Sequence, residues 1–196
     1  MNFSGARTVF PRANTDWLQQ IELQAPATGI DTVPEMASFL SQFGHETMGF
    51  TRFEENLNYS EERLMAVWPS RFQTLADAQR FARNPQALAE KVYGGRMWNN
   101  LPGDGWLYRG RGPQLTGKNN YCRASVMVDI NLIGNPDLML DPKIGVMVAL
   151  AGWKAFGLDL HDDDEDARTE RRIINGGLIG LKETQALLDK LLEALA

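Results

Sequence analysis

The chain has 196 residues, a formal net charge of −5 and a pI near 5.1. This length allows one well-buried core, alone or with a small lobe beside it. The acidic balance excludes a dedicated nucleic-acid binder, because phosphate contacts need a basic surface. No stretch approaches the roughly 20 apolar residues of a membrane span, so we expect no stable membrane insertion.

Cysteine and histidine are scarce. The single cysteine, Cys122, excludes an internal disulfide and fits a reducing compartment. His45 and His161 are the only histidines, and position 49 lacks the second His of the zinc-protease helix motif. We therefore expect no metal and no other cofactor. Residues 1–7 show no charged segment followed by an apolar one, so we expect no signal peptide.

Helical patterns dominate the chain, and strong β patterns are scarce. The Gly- and Pro-rich stretch 94–117 predicts an ordered loop with at most a short hairpin. We expect a single, mainly α domain spanning 1–196, in which residues 61–92 form a small helical lobe. The predicted helices are 15–24 with Asn14 or Thr15 as cap, 34–46, 61–67 capped by Ser60, 74–82, 85–93, 142–156, 164–174, and a leucine-rich helix from 181 whose apolar stripe faces the core.

Two glutamates, Glu46 and Glu55, lie nine residues apart. One continuous helix would point them in opposite directions, because nine residues make two and a half turns. If they cooperate, the first helix must end between them and the chain must fold back across a cleft, which Gly49 allows. Two carboxyl groups facing each other across a cleft are typical of a glycosidase, in which one donates a proton and the other activates water or attacks.

The neighbours of the two glutamates favour different roles. Glu46 has Phe43 and Phe50 close in sequence, and apolar surroundings favour the protonated form that a general acid needs. Glu55 is followed by polar residues, which favour the ionised form that a base needs. The adjacent Glu54 competes with Glu55 for this role, and spacing alone does not separate them.

Two further segments carry polar side chains suited to sugar. Residues 108–121 combine amides, a hydroxyl and aromatic rings, which match the hydroxyls and ring faces of a sugar. Their Gly-Arg-Gly sequence lacks the Gly-Lys-Ser/Thr of a phosphate-binding loop. Asn175, before Gly176 and Gly177, has two open interpretations: the C-terminal cap of a helix, or an amide that faces a binding groove.

Five motifs together resemble glycoside hydrolase family 19, and most closely its phage endolysin branch. The resemblance runs in order from about residue 36 to residue 180, so it covers most of the chain. The motifs are Gly44-His45-Glu46-Thr47-x-Gly49-Phe50-Thr51-Arg52, Glu55-Asn56-x-Asn58-Tyr59-Ser60, Tyr108-Arg109-Gly110-Arg111-Gly112, Gln114-Leu115-Thr116-Gly117-x-x-Asn120-Tyr121 and Ile174-Asn175-Gly176-Gly177.

The resemblance implies a lysozyme-like, family 19 chitinase-like fold with the small helical lobe flanking a deep groove. It implies that Glu46 is the general acid, that Glu55 rather than Glu54 is the general base, and that Thr116 positions the attacking water. The residues it implies for substrate binding are Tyr59, Gln114, Asn120 and Asn175.

The function implied by the resemblance is an endolysin that hydrolyses β-1,4 glycosidic bonds of peptidoglycan by inversion. Chitin is the alternative substrate, because both polymers contain N-acetylglucosamine. A glycan-binding module without catalysis is the alternative from another class. We expect a monomer that binds peptidoglycan glycan strands, waits in the host cytoplasm, and reaches the periplasmic cell wall through a separate holin-type membrane permeabiliser.

Overall fold

The computed structural model describes residues 1–163 and 166–196, and it confirms the predicted mainly helical fold. Short 3₁₀ helices cover Pro26–Thr28, Pro136–Leu140 and Leu158–Leu160. The α-helices within the described residues are α1 (Ser4–Val9), α2 (Thr15–Gln24), α3 (Val33–Glu46), α4 (Glu61–Val67), α5 (Leu75–Gln79), α6 (Pro85–Tyr93), α7 (Asp104–Leu107), α8 (Lys118–Val128), α9 (Pro142–Ala155), α10 (Arg168–Asn175) and α11 (Leu181–Leu195).

Local capping signals explain where several helices begin. The Asn14 side chain accepts a hydrogen bond from the backbone at the start of α2, and Ser60 does the same for α4. Thr32 and Glu35 form a capping box at the start of α3. These caps satisfy backbone N–H groups that have no partner inside the helix. The predicted starts of α2 and α4 are thereby confirmed.

Three of the described helices were not predicted. They are α1, the short α7 within the stretch 94–117 that was predicted as loop, and α8, which begins after Gly117 and carries Asn119 and Asn120 in its first turn. Asparagine is a weak helix former, and α8 lacks a side-chain cap, so the local signal is faint. The helix forms because Tyr121 and Ala124 pack beneath it. The predicted helix 164–174 begins later, at Arg168, and its first two predicted residues lie outside the described residues.

Three groups of buried apolar side chains hold the described residues together. The main core lies among α1, α2, α3, α9 and α11, and it includes the predicted leucine face of α11. The small-lobe core lies under α4, α5 and α6, and a third core lies under α8. Representative members are Trp17, Phe39, Leu40 and Leu188 for the main core, Leu64, Phe72 and Leu88 for the small-lobe core, and Tyr121, Leu132 and Met139 for the third.

Helix α3 positions the rest of the site because it is buried along most of its length and packs closely on α11. Its C-terminal end, at Glu46, is followed by the non-helical segment that carries Glu55. None of the helices within residues 1–163 and 166–196 is long and apolar enough to span a membrane.

Candidate active site

The chain reverses direction directly after α3. The helix ends at Glu46, and Met48, Gly49 and Phe50 all have positive φ angles, of 53°, 72° and 59°. Left-handed backbone is favourable for glycine and costs free energy for the two flanking residues. The predicted end of the helix between Glu46 and Glu55 is confirmed, with Gly49 in left-handed backbone.

Glu46 is held by a buried guanidinium. Arg171 Nη1 lies 2.8 Å from Glu46 Oε1, and the same atom donates to Gln42 Oε1 at 3.1 Å. Arg171 Nε donates to the carbonyl of Ile179 at 3.0 Å, and its side chain is only 3% exposed. The second carboxyl oxygen of Glu46 makes no hydrogen bond with any described residue. One oxygen is therefore fixed and the other is available to a ligand.

A cavity of about 950 Å³ lies beside Glu46. Its walls come from the ends of α3 and α10 and from the facing sides of α8 and α9. Most of the lining is apolar, and the polar residues include Gln114, Thr116 and Asn120. The structure thus brings four of the predicted site residues to one cavity.

Glu55 is held by neutral donors. Its backbone N–H donates to the carbonyl of Gly110 at 2.9 Å, which anchors the segment. The Tyr93 hydroxyl donates to Glu55 Oε1 at 2.6 Å, and the Gly110 N–H donates to Oε2 at 3.4 Å. Burial and the neighbouring Glu55 carboxylate raise the pKa of the Tyr93 phenol well above its ordinary value, so this group remains a donor.

Glu54 has a different role from its neighbour. Its carboxylate forms an ion pair with Arg109, and Arg111 Nε lies 3.7 Å away. Glu54 and Arg111 also form an isolated antiparallel bridge, as do Arg111 and Leu115. Both arginines are buried; Glu54 supplies the counter-charge of Arg109, and Arg111 also forms an ion pair with Asp137 at 2.8 Å. This engagement favours Glu55 over Glu54 as the base.

Gly110 allows three predicted site residues to meet. A methyl group at this position would lie 3.1 Å from Gln114 Oε1 and 3.3 Å from both Glu55 Cβ and Thr116 Oγ1. Thr116 is further fixed because its carbonyl accepts a hydrogen bond from Asn120 Nδ2 at 2.8 Å. Glu55 does not itself line the cavity formed by the described residues, but its Cβ and the hydroxyl of Thr116, which does line it, lie next to the same glycine, Gly110.

Tyr59 and Asn175 are not brought to the cavity beside Glu46. The Tyr59 ring packs edge-on against Trp68 with centroids 5.3 Å apart, within the small lobe. The Asn175 amide donates to the carbonyl of Ile179 at 2.8 Å and accepts from the Gly177 N–H at 2.9 Å. These bonds favour the helix-cap interpretation of Asn175. Substrate binding by Tyr59 and Asn175 stays a prediction.

Two residues that hold the glutamates, Arg171 and Tyr93, were not predicted from the sequence. Arg171 lies one turn before Asn175 on α10, and this spacing could have placed it near the motif. Tyr93 ends α6 in the small lobe, and no motif includes it. Among the described residues, no group of three or more His, Cys, Asp or Glu side chains is arranged to bind a metal ion.

The fold and the motifs can be compared with known proteins. No protein-family model matches the chain. A relative from Haemophilus influenzae, described as a glycosyl hydrolase family 19 domain-containing protein, is 38% identical over 183 residues, which cover 89% of this chain and 87% of the relative. This identity and coverage show a shared family.

Solved structures of two other proteins have a fold similar to that of this chain. Chitinase C from Streptomyces griseus HUT6037 superposes with a TM-score of 0.67 at 18% identity, covering 98% of this chain and 90% of the other. A bacterial family 19 chitinase gives a TM-score of 0.65 at 19% identity, covering 98% and 93%. The predicted family 19 chitinase-like fold is confirmed. The chain belongs to glycoside hydrolase family 19 and is a glycoside hydrolase.

Proposed function

We propose that the enzyme is an endolysin of the phage type, which hydrolyses β-1,4 bonds of bacterial peptidoglycan with inversion. The observation that carries this proposal is the shared site: Glu46 and Thr116 line one cavity, and Glu55 and Thr116 both lie next to Gly110. The motif resemblance to the phage branch supports peptidoglycan as the polymer.

Glu46 acts as the general acid in this proposal. Arg171 fixes Oε1, so the proton is carried on Oε2, the oxygen that no described residue engages. The proton passes to the glycosidic oxygen as its bond to the anomeric carbon breaks. The rigid end of α3 keeps this oxygen in place, and correct placement before reaction lowers the entropic part of the barrier.

Glu55 acts as the general base on the opposite side of the sugar. The Tyr93 and Gly110 donors fix its two oxygens, and the Thr116 hydroxyl beside it orients a water molecule. As this water attacks the anomeric carbon, its proton passes to Glu55. An inverting enzyme needs carboxyl groups about 6.5–9.5 Å apart to accommodate that water. The end of α3 at Glu46 removes the two glutamates from one continuous helix, which such a gap requires.

Chitin is the second candidate substrate, because the similar solved structures are described as chitinases. Purified peptidoglycan and chitin oligomers should be digested side by side, with the Glu46→Gln variant as the blank and mass analysis of the products. We expect soluble fragments from peptidoglycan and much slower release from chitin. Rapid chitin cleavage without any peptidoglycan fragments would contradict the proposal.

A further inference from the structure

Arg123 is a cation in the cavity that contains Glu46, and no described residue is its partner. It lies on α8, is exposed, and makes no hydrogen bond or ion pair with any described residue. Glu46, the other charged residue in the lining of this cavity, forms an ion pair with Arg171. Arg123 is therefore available to bind an anionic group of a ligand.

The helical spacing places Arg123 close to the reaction site. It follows Asn120 by three residues, so the two lie on the same face of α8, about 4.5 Å apart along the helix axis. Asn120 in turn holds Thr116. A ligand that reaches Thr116 could extend along α8 to Arg123.

The lining of the cavity also includes exposed apolar side chains, which together with Arg123 we call the apolar arm. Val126 and Met127 line it from α8, and Phe156 lines it from the end of α9. These three side chains are 79%, 39% and 64% exposed, although all are apolar. An exposed apolar surface joined to a substrate cavity is typical of a binding site.

We propose that this arm, defined by Arg123, Val126, Met127 and Phe156, binds the short peptide attached to the muramic acid of peptidoglycan. Arg123 binds a carboxylate of that peptide, and the apolar side chains contact its alanine methyl groups. The planar guanidinium is well matched to a carboxylate, with which it forms paired hydrogen bonds. This inference rests on the proposed function.

Charge complementarity selects this ligand. A polymer of N-acetylglucosamine alone is neutral and offers Arg123 no counter-charge. The peptide carries carboxylates, and the net charge of the chain, −5, would repel them without a local cation. Arg123 thus provides specificity for the peptide-bearing polymer at a site separate from the catalytic carboxylates.

The test compares three proteins on two substrates. The proteins are wild type, Arg123→Ala and the control Lys190→Ala, which removes an exposed positive charge on α11 outside the cavity. The substrates are peptidoglycan and the same preparation with its peptide carboxylates converted into amides. We expect Arg123→Ala to lose about tenfold in kcat/KM on native peptidoglycan, the size of one charge-assisted hydrogen bond at an exposed site.

On amidated peptidoglycan the same variant should match wild type, and Lys190→Ala should match it on both substrates. Arg123→Lys should recover part of the loss, because it keeps the charge without the planar fork. An equal loss on both substrates, or no loss on either, would overturn the inference. Failure of the proposed function gives a different result, in which wild type itself releases no fragments from either peptidoglycan.

Discussion

Glu46 and Glu55 are the same residue type, but the chain supports them differently. Glu46 ends a 14-residue helix whose body is buried in the main core, and its partner is the charged, buried Arg171. Glu55 lies outside any helix, and its partners are neutral: a phenol from the small lobe and a backbone N–H at Gly110.

Because their partners differ, the positions of Glu46 and Glu55 depend on different parts of the fold. The position of Glu46 depends on helix packing and on one ion pair. The position of Glu55 depends on the hydrogen bond from Tyr93. It therefore depends on the packing of the small lobe against the segment around Gly110. Changes in the small lobe should therefore affect Glu55 and leave Glu46 in place, and the variants below test that separation.

The largest effect is expected for Glu46→Gln. The amide keeps a hydrogen-bond acceptor for Arg171 but has no acidic proton, so kcat should fall about 10³-fold, within the range for general acid catalysis. The fold should survive, with a cost of about 1 kcal/mol for the lost ion pair. Initial rates on peptidoglycan and thermal unfolding measure both quantities. Near-normal turnover would refute the role of Glu46.

A large effect is also expected for Glu55→Gln, with Glu54→Gln as its matched neighbour. Loss of the base should lower kcat about 10²–10³-fold with little change in stability. Glu54→Gln should instead leave activity within severalfold and destabilise the fold by about 1–2 kcal/mol, because the buried Arg109 loses its counter-charge, whereas Arg111 keeps Asp137. If the two variants exchanged these phenotypes, the base would be Glu54.

Tyr93→Phe should lower kcat about tenfold, the value of one hydrogen bond to a charged group. The raised pKa of this phenol means that its proton is retained beyond the ordinary range, so the donor is present throughout. The ratio of wild-type to variant rates should therefore stay constant from about pH 5 to about pH 10. A ratio that shrinks at the alkaline end would show that the phenol ionises and would contradict this assignment.

The smallest effect is expected for Gly110→Ala. The added methyl would displace Glu55 or Thr116 by a few tenths of an ångström, and kcat should fall about three- to tenfold. Gly29→Ala is the control, because its φ of 91° is strained for alanine while nothing lies within 4 Å of the added methyl. It should lose about 1 kcal/mol of stability and no activity. Equal losses of activity in the two variants would contradict a specific role of Gly110 in placing Glu55 and Thr116.

Local chemistry explains which features could be predicted from the sequence. Asn14 and Ser60 cap helices with bonds to residues a few positions away, and the end of α3 follows from Gly49. These signals lie within one stretch of chain, so a pattern can show them. Motif resemblance then supplied the roles of Glu46 and Glu55.

Long-range partners explain most of what could not be predicted. Arg171 and Glu46 are 125 residues apart in sequence, and Tyr93 and Glu55 are 38 apart. No periodicity links such pairs, because tertiary packing alone brings them together. Helix α8 was not predicted for a related reason. Its sequence is a weak helix former, and the burial of Tyr121 stabilises the helix.

The stereochemistry of the first product tests the central claim most directly. Wild-type enzyme should be mixed with peptidoglycan glycan strands, and NMR should record the new reducing end before the anomers equilibrate. Water held by Glu55 and Thr116 on the face opposite Glu46 gives the α-anomer from a β-linked substrate. A β-anomer as the first product would contradict single displacement and the assignment of Glu55 as a base.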